Sequence, residues 1–191
     1  MTLRTAPNPW KIHKETSIFE NPWLHLIDYK TTNPAGRPAD YGVVRFKNKA
    51  VGVVPYENGY VWMVGQTRFA LGRYSWEIPE GGCPKGENPE ECARRELKEE
   101  TGISAAQLSP LFKVHLSNSV TDETGIVYLA RGLSFGPQAL EDSEDISVQK
   151  FHLDALYDYV EAGEITDSLS VTAIYKLKLM QAAGTLSADV I

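Results

Sequence analysis

Cysteine is scarce in this sequence. Cys83 and Cys92 are the whole complement of a 191-residue chain. Their spacing fits neither a CxxC metal pair nor a disulfide framework, and it implies a reducing compartment. Long hydrophobic runs are missing as well. None approaches the roughly 20 residues that a membrane-spanning helix needs, so no membrane partner is expected. The opening stretch MTLRTAPNPW lacks the apolar segment of a secretory signal. Excess positive charge is absent too: 19 Lys and Arg stand against 25 Asp and Glu, a net −6, which argues against a nucleic-acid surface. The four histidines form no cluster with metal-ligand spacing, and there is no internal repeat or low-complexity tract. The expectation is a soluble cytoplasmic protein. A composition of 42% hydrophobic and 23% charged residues suits one globular domain with a full core and an appended N-terminal segment.

What the chain does have is concentrated between Gly81 and Ile103, GGCPKGENPEECARRELKEETGI. Asn88 stands where an N-cap belongs, Pro89 follows at the first helical position, and Glu91 comes three residues after the cap. Thr101-Gly102 supplies the stop. Glu90 precedes Arg94 by four residues and Glu91 precedes Arg95 by four, pairs that support a helix. Glu96, Glu99 and Glu100 fall at i, i+3 and i+4, hence on one side of the helix. Like charges at that spacing destabilise a helix by roughly 0.2–0.5 kcal/mol per pair. A hard divalent cation would reverse the sign, because Mg²⁺ takes carboxylates together with substrate phosphates. From the helix alone a solvated acidic face is an equally good reading. The glycines at 81, 82 and 86 make a loop that lets backbone approach a ligand closely.

This stretch resembles the Nudix box, a glycine, five residues, a glutamate, seven residues, then Arg-Glu-apolar-x-Glu-Glu-x-Gly-apolar. The fixed positions are Gly81, Glu87, Arg95, Glu96, Leu97, Glu99, Glu100, Gly102 and Ile103, and all are filled. At ordinary residue frequencies such a match arises by chance on the order of once in ten million.

Around the box the chain reads as mixed strands with one helix in the middle and two at the end, an α+β pattern. Strands are predicted over 10–19, 23–29 and 41–46, with a turn at 33–38. Two apolar runs, 50–55 and 60–66, flank Asn58-Gly59, a strong hairpin signal. Further strands are predicted over 111–116, 126–130 and 146–153, with polar loops at 117–125 and 134–145. Asp154 is the expected cap of a short helix ending at Gly163. A last helix starts at Asp167 or Ser168, with Val171, Ile174, Tyr175, Leu177 and Met180 as its apolar stripe. The resemblance implies the specific form, an α/β/α sandwich around a mixed sheet. The division expected is residues 1–46 as a tail and antiparallel β ribbon, and 47–191 as the Nudix catalytic domain.

The front ribbon, the run QTRFALGRYSWEIPEGG and the closing helix pair resemble the ADP-ribose and nucleoside diphosphate sugar pyrophosphatases within that family, over most of residues 15–184. That resemblance implies a hydrolase that splits the pyrophosphate of ADP-ribose, GDP-mannose or a similar molecule with Mg²⁺ or Mn²⁺. It also implies a homodimer that exchanges the ribbon. Glu96, Glu99 and Glu100 are the expected metal ligands, joined by the backbone carbonyl of Glu80. Arg95 is expected to be structural, with Glu87 orienting either it or the loop. The general base is expected from the late acidic loop 139–145, with Glu144 as first choice and Glu141 as second. A solvated turn is the alternative there, with Glu99 as base. Arg68 is a candidate phosphate ligand or a solvated arginine. Trp23 is a candidate nucleobase platform or a buried or interface residue. ADP-ribose pyrophosphatases commonly carry a proline near position 118. This chain has Asn118, followed by Ser119, and both are candidate substrate contacts. Two other functions stay open, a nucleoside triphosphate pyrophosphatase and a non-catalytic ligand-sensing domain.

Overall fold

A computed structural model describes residues 3, 5–140 and 145–186. The chain divides into two compact units, Met1–Asn48 with His115–Glu123, and Lys49–Val114 with Thr124–Ile191.

The first unit is an antiparallel three-stranded sheet. Strand β1 (Lys11–Glu20) pairs with β2 (Leu24–Thr32), which pairs with β3 (Pro38–Phe46). Every residue of β1 is exposed, whereas Ile27, Tyr29 and Thr31 of β2 are buried. The 117–121 loop joins this unit through a parallel bridge between Val44 and Thr121. The Tyr41 hydroxyl also donates to the Ser119 carbonyl, and Arg45 pairs with Asp122 at 3.2 Å.

The second unit holds a mixed seven-stranded sheet. Its main path runs β10 (Ser147–His152), β5 (Tyr60–Arg68), β4 (Lys49–Glu57), β9 (Thr124–Phe135), β8 (Ile103–His115). Short β6 (Arg73–Glu77) pairs with β5, and β7 (Glu80–Cys83) with β4. The β4–β9 pair is parallel and the β4–β5 pair antiparallel. Between β4 and β5, Asn58 and Gly59 both take positive φ (51° and 86°), as a tight hairpin demands.

Strand β4 is buried at six consecutive positions, the mark of a sheet covered on both faces. Alternation along β9 sorts the covers. Ile126, Tyr128 and Ala130 pack with Cys92, Ala93 and Leu97 of helix α1 (Pro89–Thr101). A side chain on Gly125, one residue out of phase, would meet Leu169 of helix α3 (Ser168–Ala182). Helices therefore lie on opposite faces of one sheet. Helix α2 (Leu153–Glu161) packs beside α3, and Lys178 reaches Asp154 across them at 2.6 Å.

Local details differ from the sequence expectation. The run leading into the box carries the two strands β6 and β7, and β8 starts directly after the helix stop. Helix α2 is capped by His152, whose Nδ1 accepts from the Asp154 N–H at 3.3 Å. Asp154 sits in the first turn, where its charge suits the helix dipole. In α3 the buried residues are Leu169, Ser170, Ala173, Ile174 and Leu177. Tyr175 is exposed and donates its hydroxyl to Glu161 at 2.7 Å. The helix is apolar around much of its circumference, so several stripes fit the sequence. Its packing against β9 and α2 selects one.

Candidate active site

Helix α1 begins where its caps require. The Asn88 side chain accepts from the Glu90 N–H at 2.8 Å, and Gly102, at φ 71°, returns its N–H to the Lys98 carbonyl. Glu90 and Arg94 pair at 2.9 Å. The face bearing Glu96, Glu99 and Glu100 is not a solvated one. Glu96 is 8% exposed and Glu100 2%. Ionised carboxylates this deep need compensation, since burying an unpaired charge is very costly.

Two arginines supply part of it. Arg95 grips Glu87 with two nitrogens, both at 3.1 Å, and turns its third to Glu96 at 2.8 Å and Glu99 at 3.0 Å. The Glu87 hydrogen bonds come first in raising the Arg95 pKa, and the same contact holds the Glu87 carboxyl below its usual range. Glu87 thus takes the place in the arginine's grip that helix spacing would give to Glu91. Arg68 forks onto buried Glu77 at 2.5 and 2.9 Å and reaches Glu80 at 3.2 Å. Burial is the largest single influence and would lower the Arg68 pKa, but the bonds to Glu77 and the charges of Glu77, Glu80 and Glu100 together raise it.

Six carboxylates, Glu77, Glu80, Glu87, Glu96, Glu99 and Glu100, therefore gather around two guanidiniums. The backbone N–H of Glu80 donates to Glu100 at 2.9 Å, which ties β7 to the helix. Gly81, next along β7, lies so close to Glu96 that an added Cβ would land on its carboxylate. This is a packing reason for glycine at the first box position. Glu80 Oε2 is shielded from solvent and has no hydrogen-bond partner among the described residues. Burial, then Asp167 and Glu77, push the Glu80 carboxyl well above the usual carboxylate range. An orphaned buried oxygen beside an excess of acids is the environment a hard cation repairs. The donor set, all carboxylate and carbonyl oxygen, fits Mg²⁺-like ions.

The NUDIX domain family model matches residues 46–169, nearly two thirds of the chain. The chain belongs to the Nudix family. An ADP-ribose pyrophosphatase of Bacillus subtilis (strain 168) is 33% identical over 86% of this Nudix chain and 90% of its own length. A methanol dehydrogenase activator of Bacillus methanolicus is 35% identical over 90% and 94%. In fold, the crystal structure of an ADP compounds hydrolase superposes with a TM-score of 0.84. It covers 95% of this chain and all of that one, at 18% identity. Hydrolases of the family depend on a divalent metal ion.

The box residues and Arg68 come together in the second unit, though Arg68 is already engaged by two acids. Trp23, Asn118 and Ser119 belong to the first unit, where all three are exposed, Trp23 at 68%. That unit has a cavity of about 210 Å³ between Trp10, Tyr29, Tyr41 and Arg45, with Trp10 edge-on to Tyr41 at 5.3 Å. Sequence reasoning missed Glu77 and the Glu80 side chain, having considered only that residue's carbonyl. The available signal was the alternation of Ser75 and Glu77 on β6, which faces both inward. Glu141 and Glu144 lie outside the described residues. The segment just before them is anchored to the C-terminal end of α1. Ala139 N–H donates to the Glu99 carbonyl at 2.9 Å, and the Gln138 amide donates to that of Glu100 at 2.6 Å.

Proposed function

We propose that this Nudix hydrolase splits the pyrophosphate of nucleoside diphosphate sugars, releasing a nucleoside monophosphate and a sugar phosphate. The observation that carries the reading is the acidic face of α1 folded against β7, with Glu80 Oε2 left without a hydrogen-bond partner among the described residues. The name of the Bacillus subtilis relative supports the substrate class. Glu96, Glu99 and Glu100, with the Glu80 carbonyl, are assigned to hold Mg²⁺ or Mn²⁺. Such an ion, when bound, neutralises phosphoryl oxygens and lowers the pKa of water.

The chain's own contributions are positional. Arg95 fixes Glu96 and Glu99 from one side, and the Glu80 N–H fixes Glu100 from the other. Positioned charge of this kind carries most of phosphoryl-transfer catalysis. Water attacks one phosphorus, the bridging P–O bond breaks, and the water's proton goes to a carboxylate. We assign that base to Glu144, with Glu141 as substitute. The anchoring of residues 138 and 139 to the end of α1 supports this, because it brings the start of the acidic loop to the helix that bears the box glutamates. Arg68 remains a phosphate ligand only if substrate draws it from Glu77. Trp23, Asn118 and Ser119 remain proposed substrate contacts.

The exposed apolar residues of β1, Ile12, Ile18 and Phe19, support a homodimer formed through the first unit. Free cysteines support a cytoplasmic location. Among the described residues no helix is long and apolar enough to cross a membrane. The test is a panel of nucleotide sugars and nucleoside triphosphates with Mg²⁺, with products identified by phosphorus NMR. Faster hydrolysis of triphosphates than of any nucleotide sugar would reject the reading. The Bacillus methanolicus relative favours a second reading, activation of another enzyme, checked by adding the protein to a methanol dehydrogenase and measuring its turnover.

A further inference from the structure

Behind the acidic face, on the core side of α1, the box loop brings its two sulfurs together. Cys83 ends β7 and Cys92 lies in the first turns of α1, 2% and 0% exposed. Cys83 Sγ, Cys92 Sγ and a carboxylate oxygen of Glu87 all lie within 4.8 Å of one another. Two buried thiols can be small core residues and nothing more, and both do pack with Val51, Ala93 and Leu97. Core packing, however, gives no reason for a carboxylate to converge on the pair. Nor does it require a guanidinium beside a sulfur, yet Arg95 Nη2 stands 3.5 Å from Cys92 Sγ.

We propose that Cys83, Cys92 and Glu87 form a second metal site, selective for a soft divalent ion of the zinc class, and that filling it withdraws Glu87 from Arg95. A tetrahedral zinc with bonds of about 2.3 Å to sulfur holds two thiolates about 3.8 Å apart, so a small inward movement suffices. Two thiolates and one carboxylate leave a fourth position for water. Thiolate ligands discriminate against Mg²⁺, so the ion assigned to the acidic face does not compete here. Burial and the neighbouring sulfur push the Cys92 thiol up, so in the absence of such an ion that thiol stays protonated. Thiolate ligation therefore releases protons to the solvent. Glu87 is the accessible member, its side chain 25% exposed, and marks the way in.

The consequence follows from the grip described above. Glu87 is the one carboxylate that Arg95 holds with two nitrogens. Once Glu87 turns to the metal, Arg95 keeps Glu96, Glu99 and the Gly82 carbonyl, and the geometry of the acidic face changes. Zinc then slows turnover in a way that added Mg²⁺ does not relieve. The binding itself is independent of the hydrolase reading; only this effect on turnover rests on it.

The test uses Co²⁺ as a spectroscopic probe on the full chain in excess Mg²⁺, without substrate. One equivalent should produce a thiolate-to-cobalt charge-transfer band in the near ultraviolet, which Zn²⁺ then displaces. The band should vanish in Cys83→Ala and in Cys92→Ala, and persist in Glu96→Gln, whose change lies on the acidic face. Absence of the band in the wild-type protein, or its survival in Cys92→Ala, overturns the proposal whatever the substrate proves to be. In turnover assays the zinc concentration for half inhibition should rise roughly tenfold or more in the two cysteine variants, with Mg²⁺-supported rates retained. Equal zinc sensitivity in wild type and variants would overturn the coupling to Arg95.

Discussion

Strands β1 and β4 are nearly equal in length and unlike in everything else. All ten residues of β1 are exposed, while six consecutive residues of β4 are buried. The first belongs to a three-stranded sheet with one side chain after another facing water. The second is the centre of a sheet covered by helices on both faces. The difference separates two kinds of requirement. Buried strands hold the acids of the box in fixed relation, because a close-packed interior does not deform gradually. An exposed strand carrying Ile12, Ile18 and Phe19 contributes little to its own unit's core, and its apolar side chains remain available to a second surface.

The largest effect expected lies on the buried side of this comparison. Glu100→Gln keeps an oxygen that can accept from the Glu80 N–H, so the fold should survive. It removes a charge from the proposed metal-binding set. Several kcal/mol of transition-state stabilisation depend on such an ion, so maximal rate should fall about 10³-fold or more. Thermal denaturation in chelator should be nearly unchanged. Full activity of the wild-type protein in excess chelator would contradict the whole assignment.

Next is the base. A general base contributes about 10²–10⁴-fold, so Glu144→Gln should lower maximal rate by that order and flatten the acid limb of the rate–pH profile. Metal affinity should hardly move, unlike in Glu100→Gln. If Glu141→Gln does the damage instead, the assignment passes to Glu141. If neither matters, the loop is a solvated turn and Glu99 becomes the base.

These two residues also mark what could be read from sequence and what could not. The box was legible in full because its signals are local. Asn88 caps, Gly102 stops, and glutamates at i, i+3 and i+4 share a face whatever surrounds them. The partners of the two arginines were legible in part: Glu87 was expected beside Arg95 and is found there, whereas Glu77 was not foreseen beside Arg68. Arg95 holds Glu87, Glu96 and Glu99 in place of Glu91, since a single exposed i,i+4 pair is worth only about 0.3–0.5 kcal/mol and a set of converging carboxylates outweighs it. Arg68 reaches back along the β5–β6 hairpin to Glu77, because a register that sets Arg68 opposite Arg73 and Val64 opposite Glu77 puts both side chains on one face. No local pattern announces that hairpin.

Core truncation sharpens the comparison directly. Leu97→Ala, at 1% exposure against Val51 and Val53, should cost about 2–5 kcal/mol. Ile18→Ala on β1 should stay within about 0.5 kcal/mol for the isolated chain. Equal losses in urea denaturation would mean that β1 is buried in solution.

The same strand supplies the dimer test. Phe19→Asp places a charge among the exposed apolar residues of β1. If those residues form the two-fold contact, where each change acts twice, the variant should be monomeric by light scattering at micromolar concentration while the wild-type protein is a dimer. A wild-type monomer with full activity would remove the dimer from the account.

The smallest effect concerns the exposed ion pair between α2 and α3. Lys178 Nζ lies 2.6 Å from Asp154 Oδ1. That hydrogen bond, with the lysine's charge and the nearby His152, holds the Asp154 carboxyl below its usual value of 3.8. A carboxylate with a depressed folded-state pKa binds fewer protons folded than unfolded, so stability rises with pH through that interval. The contribution is complete above about pH 4 and disappears as pH falls through the folded-state value. Asp154→Asn should therefore lower Tm by about 1 °C at neutral pH, with the difference from wild type shrinking below pH 4. High salt should shrink it as well, because the pair is exposed and screened. A difference that persisted undiminished in high salt and below pH 4 would show that Asp154 acts through an uncharged contact and not through its pairing with Lys178.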